Sequence, residues 1–448
     1  MTENHGERAQ RALQNSDVPE ALVHARASLA AGEAGAHRLM AIVLPFANRS
    51  DEALTHARLA VIEDAAIAMD FARLAALLQA AGKNEEAVSN FRRATELEPH
   101  SAILWNELGV ALSDVNLEDA ENALQKAIYL APEMAEIHNN LGNILKARGA
   151  PEKALKCYET ALERKPDYWE ARGNLGVVHQ VLGQADASIR CFEAILKVRP
   201  KEAQTWTHYG AALAMKGELE ASETAHRRSI SLEPALPDAY NNLAIVLKDQ
   251  GRLDEACEAY RHVITLDPDD SDAHSNYLMC LCYDYSVGAS EMVAAHQEWA
   301  RQFTPTQQNS FDGAEAHPGK ILTIGYVSPD FRSHPVASFL DCLFEAHNRD
   351  NFRIICYSDV AAPDDFTARI RGRADLWRIG KGLDDDQLRA QIIGDGVDIL
   401  IDLAGHTANN RLRVFAGREA PVQISWLGYG ATTGLDAMDY VLSDERTD

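Results

Sequence analysis

Cysteine is scarce in this sequence and forms no pairs. Seven occur in 448 residues, and none stands in a CxxC spacing. Cys280 and Cys282 are two apart with no histidine beside them, a poor arrangement for a metal. A disulfide framework and a zinc ribbon are therefore excluded. Positive charge is short as well. Lys and Arg number 43 against 67 Asp and Glu, for a formal charge of −24. Such a balance excludes a general binder of nucleic acid or of anionic membrane, because phosphates need Lys and Arg. Long apolar runs are missing: none approaches the roughly 18 residues that a membrane span needs. The opening stretch, MTENHGERAQRALQNSD, lacks the apolar segment of a signal peptide. Reduced thiols and no leader point to the cytoplasm. Neither a GxGxxG fingerprint nor the lysine of a P-loop is present, so a standard nucleotide motif is not expected.

What is present is a repeat. Between residues 68 and 268 one pattern returns about every 34 residues. Leu141-Gly142, Leu145, Gly149, Ala154, Tyr158, Ala161 and Pro166 are followed 34 residues later by Leu175-Gly176, His179, Gly183, Ser188, Phe192, Ile195 and Pro200. Two further copies run through Tyr209-Gly210 to Pro234 and through Leu243-Ala244 to Pro268. Small residues let paired helices approach, large apolar ones fill the space between, and Pro stops the second helix. This is the tetratricopeptide pattern. Six clear repeats and two degraded ones are expected, forming a right-handed superhelix over 1–285 that presents a long surface to another protein. Cys157 and Cys191 hold equivalent repeat positions and read as small core residues.

The repeats carry a second shared feature. Asn140, Asn174, Asn242 and Asn276 occupy one position of the first helix, and His208 fills the gap. An amide donates and accepts at once, so such a row suits clamping an extended peptide backbone. Free amides facing the groove are the expectation.

After residue 285 the period changes. Residues 291–303 read as one more amphipathic helix, and the polar stretch 304–320 as a loop, so 286–320 forms a linker. From 321 onward, apolar strands alternate with helices: ILTIGYVS, FRIICYSD, DLWRIG, VDILIDLAG, PVQISWLGYG and MDYVLSD are the strands. That order predicts a parallel α/β sheet of Rossmann-like type over 321–448. Function in such sheets sits beyond the strands' carboxyl ends. The loops there are SPDFRSHP, AGHTANN and GYGATTG. The first brings Ser328, Asp330, Arg332 and His334 together, with His334 just before Pro335 at a helix start. A histidine there is favoured in its neutral form. The second places Asp402, His406, Thr407, Asn409 and Asn410 after a buried strand. Glycines of the third permit close approach of a ligand or a second domain.

Taken together, GYVSPDFRSHPVASF, DILIDLAGHTANNRLRVFAGREAPVQISWLGYGATTG and MDYVLSD resemble the first half of the catalytic region of the O-linked N-acetylglucosamine transferases and the plant SPINDLY proteins. The GHTANN segment is similar to the SPINDLY branch. The resemblance covers 321–448, and repeats followed by an enzyme is the family's order. It implies a protein O-glycosyltransferase, inverting and metal-independent, built as two facing Rossmann-like domains (the GT-B arrangement). No cofactor is implied. The co-substrate is a nucleotide-sugar, UDP-GlcNAc as first choice with GDP-fucose as the alternative, and the acceptors are proteins held by the repeats. His334 corresponds to the family's active-site histidine, as base or as an orienting group, with Asp402 and His406 beside it. Thr407 lines the cleft, and Gly428, Tyr429, Thr432, Thr433 and Gly434 fall near the donor sugar. One departure is that the family's second catalytic half is absent from these 448 residues, which reads as a fragment, inactive alone. The rival reading is a non-catalytic repeat scaffold.

Overall fold

The structure is a computed structural model, and it describes residues 4–311 and 319–443. Part of the loop expected at 304–320 and the last residues of the chain lie outside that range. Among the described residues every strand falls after residue 321; the stretch before it is helical. No described helix is long and apolar enough to cross a membrane.

Two compact units form, Met1–Gly217 and Glu218–Asp448. The first is made of antiparallel helix pairs. Ala135–Ala147 and Pro151–Arg164 are one pair, Trp169–Val181 and Ala185–Val198 the next. Their crossings depend on size matching. A Cβ on Gly142 would sit 2.6 Å from the Tyr158 ring, and one on Gly176 would sit 2.6 Å from the Phe192 ring. The glycine of one helix thus accommodates the large residue of the next, which is why the two recur together in sequence. The second helices of the earliest pairs bury small residues instead: Ala21, Ala25, Ala53, Ala57 and Ala60 are all buried.

The asparagine row differs from its expected form. Asn140 donates to the Asn106 carbonyl at 2.9 Å, and Asn174 donates to that of Asn139 at 3.0 Å. In the second unit Asn276 donates to Asn241 at 3.2 Å. Three of the four amides are therefore bonded to the preceding repeat rather than free; Asn242 is half-buried. The physical reason is register. Each repeat sets another amide 34 or 35 residues upstream, within reach of a half-buried N–H that needs an acceptor.

The second unit joins the last repeats to the sheet. Its strands are β1 (Leu322–Ser328), β2 (Phe352–Ser358), β3 (Leu376–Ile379), β4 (Ile399–Asp402), β5 (Val422–Trp426) and β6 (Tyr440–Leu442). All pairings are parallel, in the order β3-β2-β1-β4-β5-β6. Leu247, Tyr260, Leu278 and Trp299 of the helices share one core with Val327, Leu400, Leu412 and Leu435 of the α/β part. So the repeat motif runs unbroken through Gly217 in sequence, while by packing the helices from Leu219 onward go with the sheet.

Candidate active site

In this strand order β1 and β4 are neighbours whose connections leave in opposite directions, so a crevice opens beyond their carboxyl ends. Val327 of β1 lies in register with Asp402 of β4, which brings the SPDFRSHP and AGHTANN loops to one edge. A cavity of about 690 Å³ opens there. Asp330, Arg332 and Ser333 line it from the loop after β1, Asp359 and Asp364 from that after β2, and Lys381 and Asp385 from that after β3. Asn409, Asn410, Arg411 and Arg413 follow β4, and Ser271 and Asp272 come from the start of the Ser271–Tyr283 helix.

The cations in this cavity are not equivalent. Arg411 is locked. It donates to Asp359 at 2.8 and 3.2 Å, to Asp385 at 3.0 Å, and to the Gly380 and Leu383 carbonyls. Arg332 is half-exposed and held at 3.1 Å by Asp330, and Arg413 is half-exposed near Asp385. Lys381 is exposed and donates to the Ala361 carbonyl. Arg418 pairs with Asp439 at 2.8 Å and braces the β5–β6 connection.

His334 caps the Pro335–Ala346 helix. Its Nδ1 accepts from the Val336 N–H at 3.4 Å, and its side chain is 34% exposed. Proline at the following position costs nothing there because its missing N–H would have had no partner in the helix. An accepting Nδ1 carries no proton, so in the neutral ring the N–H is at Nε2. His334 itself does not line the cavity; its neighbours Arg332 and Ser333 do.

Asp402 and His406 were expected beside His334 as catalytic groups, and the structure gives both a different environment. Each is only 1% exposed. Asp402 accepts from the Ala404 and Gly405 N–H groups at 3.0 and 2.8 Å, forming the turn that leaves β4. Burial pushes its carboxyl up to about 6, against the pull of those two amides. His406 lies within 3.0 Å of the Thr433 carbonyl through Nε2, and within 3.1 Å of the Ser275 hydroxyl through Nδ1. A carbonyl only accepts, so Nε2 carries the proton and Nδ1 accepts from Ser275. Burial holds this ring neutral, down to about 3. Both nitrogens are occupied within the protein, and the ring joins the last repeat helix to the glycine-rich loop. Thr407 is tied back to the Ala404 carbonyl at 2.8 Å.

The glycine-rich loop is wedged rather than open. A Cβ on Gly428 would meet the Leu403 carbonyl at 1.8 Å, and one on Gly434 would meet that of His296 at 2.3 Å. What approaches these glycines is the β4 loop and the Ala289–Phe303 helix. The Tyr429 hydroxyl lies 2.8 Å from His296 Nε2 and 3.0 Å from the Cys282 sulfur. His296 Nδ1 is 2.7 Å from the Met292 carbonyl and so bears the proton, which makes Tyr429 the donor to Nε2. Thr432 accepts from the Gly434 N–H, and Thr433 is buried. Gly428 and Tyr429 face a separate cavity of about 430 Å³, walled by Met279, Cys282, Tyr283 and Met292.

Asp359, Asp364, Lys381 and Asp385 escaped the sequence reading because the loops after β2 and β3 carry no motif. Ser275 and His296 escaped it because their partners lie more than 130 residues away.

The site thus defines a doubly wound parallel α/β domain carried behind a tetratricopeptide array. Residues 301–448 match the family model described as Glycosyl transferase family 41. Tetratricopeptide models match 73–135, 135–168, 178–237 and 237–270. A tomato (Solanum lycopersicum) protein described as a probable UDP-N-acetylglucosamine–peptide N-acetylglucosaminyltransferase SPINDLY is 39% identical over 164 residues, which is 35% of this chain and 18% of that protein. The Arabidopsis thaliana protein described in the same way but named SEC is 37% identical over 128 residues, 28% of this chain and 13% of its own. Among solved structures, an O-GlcNAc transferase mutant of Thermobaculum terrenum aligns at TM-score 0.54 and 32% identity, covering 62% of this chain and 54% of the other. The chain therefore spans about a fifth of the curated relatives' length. The family resemblance read from the loops holds: repeats lead into a glycosyltransferase family 41 region.

Proposed function

We propose that this chain holds protein acceptors on its repeats and serves the acceptor side of a protein O-glycosyltransferase. The reaction joins a Ser or Thr hydroxyl oxygen to the anomeric carbon of a nucleotide-sugar, with inversion and without a metal; the diphosphate leaves with the electron pair of the broken bond, and the hydroxyl proton is released to solvent. GlcNAc from UDP-GlcNAc is the first choice, and fucose from GDP-fucose the alternative that the GHTANN loop suggests.

The observation that carries the reading is the polar cavity beyond β1 and β4. Five carboxylates, Asp272, Asp330, Asp359, Asp364 and Asp385, line it against four cations, one of them locked. A departing diphosphate would meet net repulsion there, whereas a neutral hydroxyl-bearing acceptor would find acceptors and donors on every side. His334 at its edge supports the orienting role rather than the base: with Nδ1 occupied by the helix, the outward group is an N–H.

Two measurements test this. Calorimetric titration of the chain with a Ser/Thr peptide should give binding, while UDP-GlcNAc and GDP-fucose should bind no tighter than millimolar. Micromolar affinity for either nucleotide-sugar would place a donor site on these residues and overturn the assignment. In a transfer assay on the full gene product, His334→Ala should cut turnover sharply and His334→Gln, which keeps an outward N–H, should retain part of it.

A further inference from the structure

The first unit carries a side-chain arrangement unrelated to the cavity. His5 and His24 face each other across the first helix pair, and His37 and His56 across the second. Within each pair the spacing is 19 residues, and the pairs are 32 apart, so the arrangement repeats with the fold. All four rings are half-buried and reachable from solvent. The facing atoms are Nδ1 in every case, at 3.5 Å in the first pair and 2.7 Å in the second.

In each pair one ring also turns its far nitrogen to a carboxylate: His24 Nε2 lies 3.8 Å from Glu20, and His37 Nε2 lies 3.6 Å from Glu63. A carboxylate at Nε2 favours the tautomer with its proton there, which leaves the Nδ1 lone pair aimed at the partner ring. That lone pair can be met by an N–H of the facing ring or by a cation that both rings ligate. Two imidazole nitrogens on a tetrahedral zinc, each bonded at ~2.05 Å, stand about 3.3 Å apart. The observed separations bracket that figure.

We propose that each of these helix pairs chelates a divalent zinc-class cation between its two histidines, with water completing the coordination. Among the described residues no three or more His, Cys, Asp or Glu converge on one point, so two protein ligands per ion is the limit. The net charge of −24 draws cations to the chain. Borderline ligands of this kind select zinc, copper or nickel over calcium or magnesium.

The test is zinc titration of the full chain, stripped with EDTA, against a competing indicator at pH 7.5. The sequence holds 16 histidines, so the reading is taken from what variants subtract. His37→Gln with His56→Gln should remove one equivalent of bound zinc, and adding His5→Gln with His24→Gln should remove a second. Glu63→Gln should weaken the second-pair site about ten-fold, by removing the negative charge 3.6 Å from His37 Nε2. Circular dichroism in EDTA checks that the variants fold. In the parent chain, the imidazole C–H resonances of these four residues should be the first to shift with zinc, which needs no variant. Equal zinc binding by parent and quadruple variant, or first shifts elsewhere, would mean that only a proton bridges each pair and would sink the proposal.

Discussion

The loops that leave β1 and β4 start side by side and end in opposite conditions. Both carry a histidine, an aspartate and a hydroxyl residue. His334 is 34% exposed at a helix start, and its loop lines a polar cavity. His406 is 1% exposed and bonded at both nitrogens. Residue type does not separate them; depth does. The β1 loop ends in a helix whose first turn needs a cap, so its side chains stay at the rim. The β4 loop is covered by the Ser271–Tyr283 and Ala289–Phe303 helices, so its polar groups must satisfy each other. Two adjacent loops can thus hold two histidines, one left at the rim and one fixing the walls.

Breaking the sealed side should have the largest effect. Gly428→Ala puts a methyl against backbone that cannot yield, so the chain should lose on the order of 3 kcal/mol or more. Gly430, two residues on, has nothing within 4 Å, and Gly430→Ala should change stability by less than about 0.5 kcal/mol. Urea unfolding of both variants makes the measurement; similar midpoints would mean that the loop is not wedged.

The open side should show its own division. Arg411→Ala strands the nearly buried Asp359 carboxylate and should cost about 3 kcal/mol. Arg413 is 50% exposed, so Arg413→Ala should leave the melting temperature almost unchanged while altering ligand binding in the cavity. Equal losses would show that Arg411 is not the cavity's structural cation.

Acid should act through the sealed side. His406 is depressed to about 3 from an ordinary 6.5, so the unfolded chain takes up a proton that the folded chain refuses. The stability tied to it is present above pH 6.5 and is lost as pH falls toward 3. His226, depressed by burial to about 4, acts in the same direction. Asp402 opposes them: raised to about 6, it favours the folded state at low pH, and that contribution disappears as pH rises through 6. Two histidines outweigh one carboxyl, so urea midpoints should fall between pH 6.5 and 4. His406→Gln should be less stable at pH 7.5 but show a shallower fall. A fall as steep as the parent's would remove His406 from this account.

The smallest effect should be a gain. His226 is fully buried and neither ring nitrogen has a partner. Its repeat position holds Tyr158, Phe192 and Tyr260 elsewhere. His226→Phe should raise stability by about 1 kcal/mol, since an apolar ring carries no unmet polar atom. A lower melting temperature would mean that the extra volume does not fit.

Much of this was legible in the residues themselves, and the limits have physical causes. The Gly142–Tyr158 and Gly176–Phe192 pairings recur in sequence because they touch in space, so the repeats could be read off. The strands were legible as contiguous apolar runs because both faces of a parallel sheet are covered. Glycines 428 and 434 announced a close approach, but not of what: the answer, His296 and Leu403, lies on other elements. Asn140 and Asn174 declared their register, yet their bonding depends on Asn106 and Asn139, the second of which sits one residue off the row. Whether a polar residue at a strand end faces a cleft or a neighbouring helix is a matter of tertiary depth, and no local pattern encodes it.

The contact between Tyr429 and Cys282 has a practical consequence. Cys282 is one of two exposed cysteines among the described residues, the other being Cys342. Its thiol is held above its ordinary value by burial of the sulfur, and it touches the phenol that pins the glycine-rich loop. Alkylation needs the thiolate, so the sulfur should react slowly while the loop is docked and faster once it lifts. Cys342 supplies the clock against which that rate is read. The molecule therefore carries its own gauge of whether the loop is seated, legible by mass spectrometry before any substrate is known.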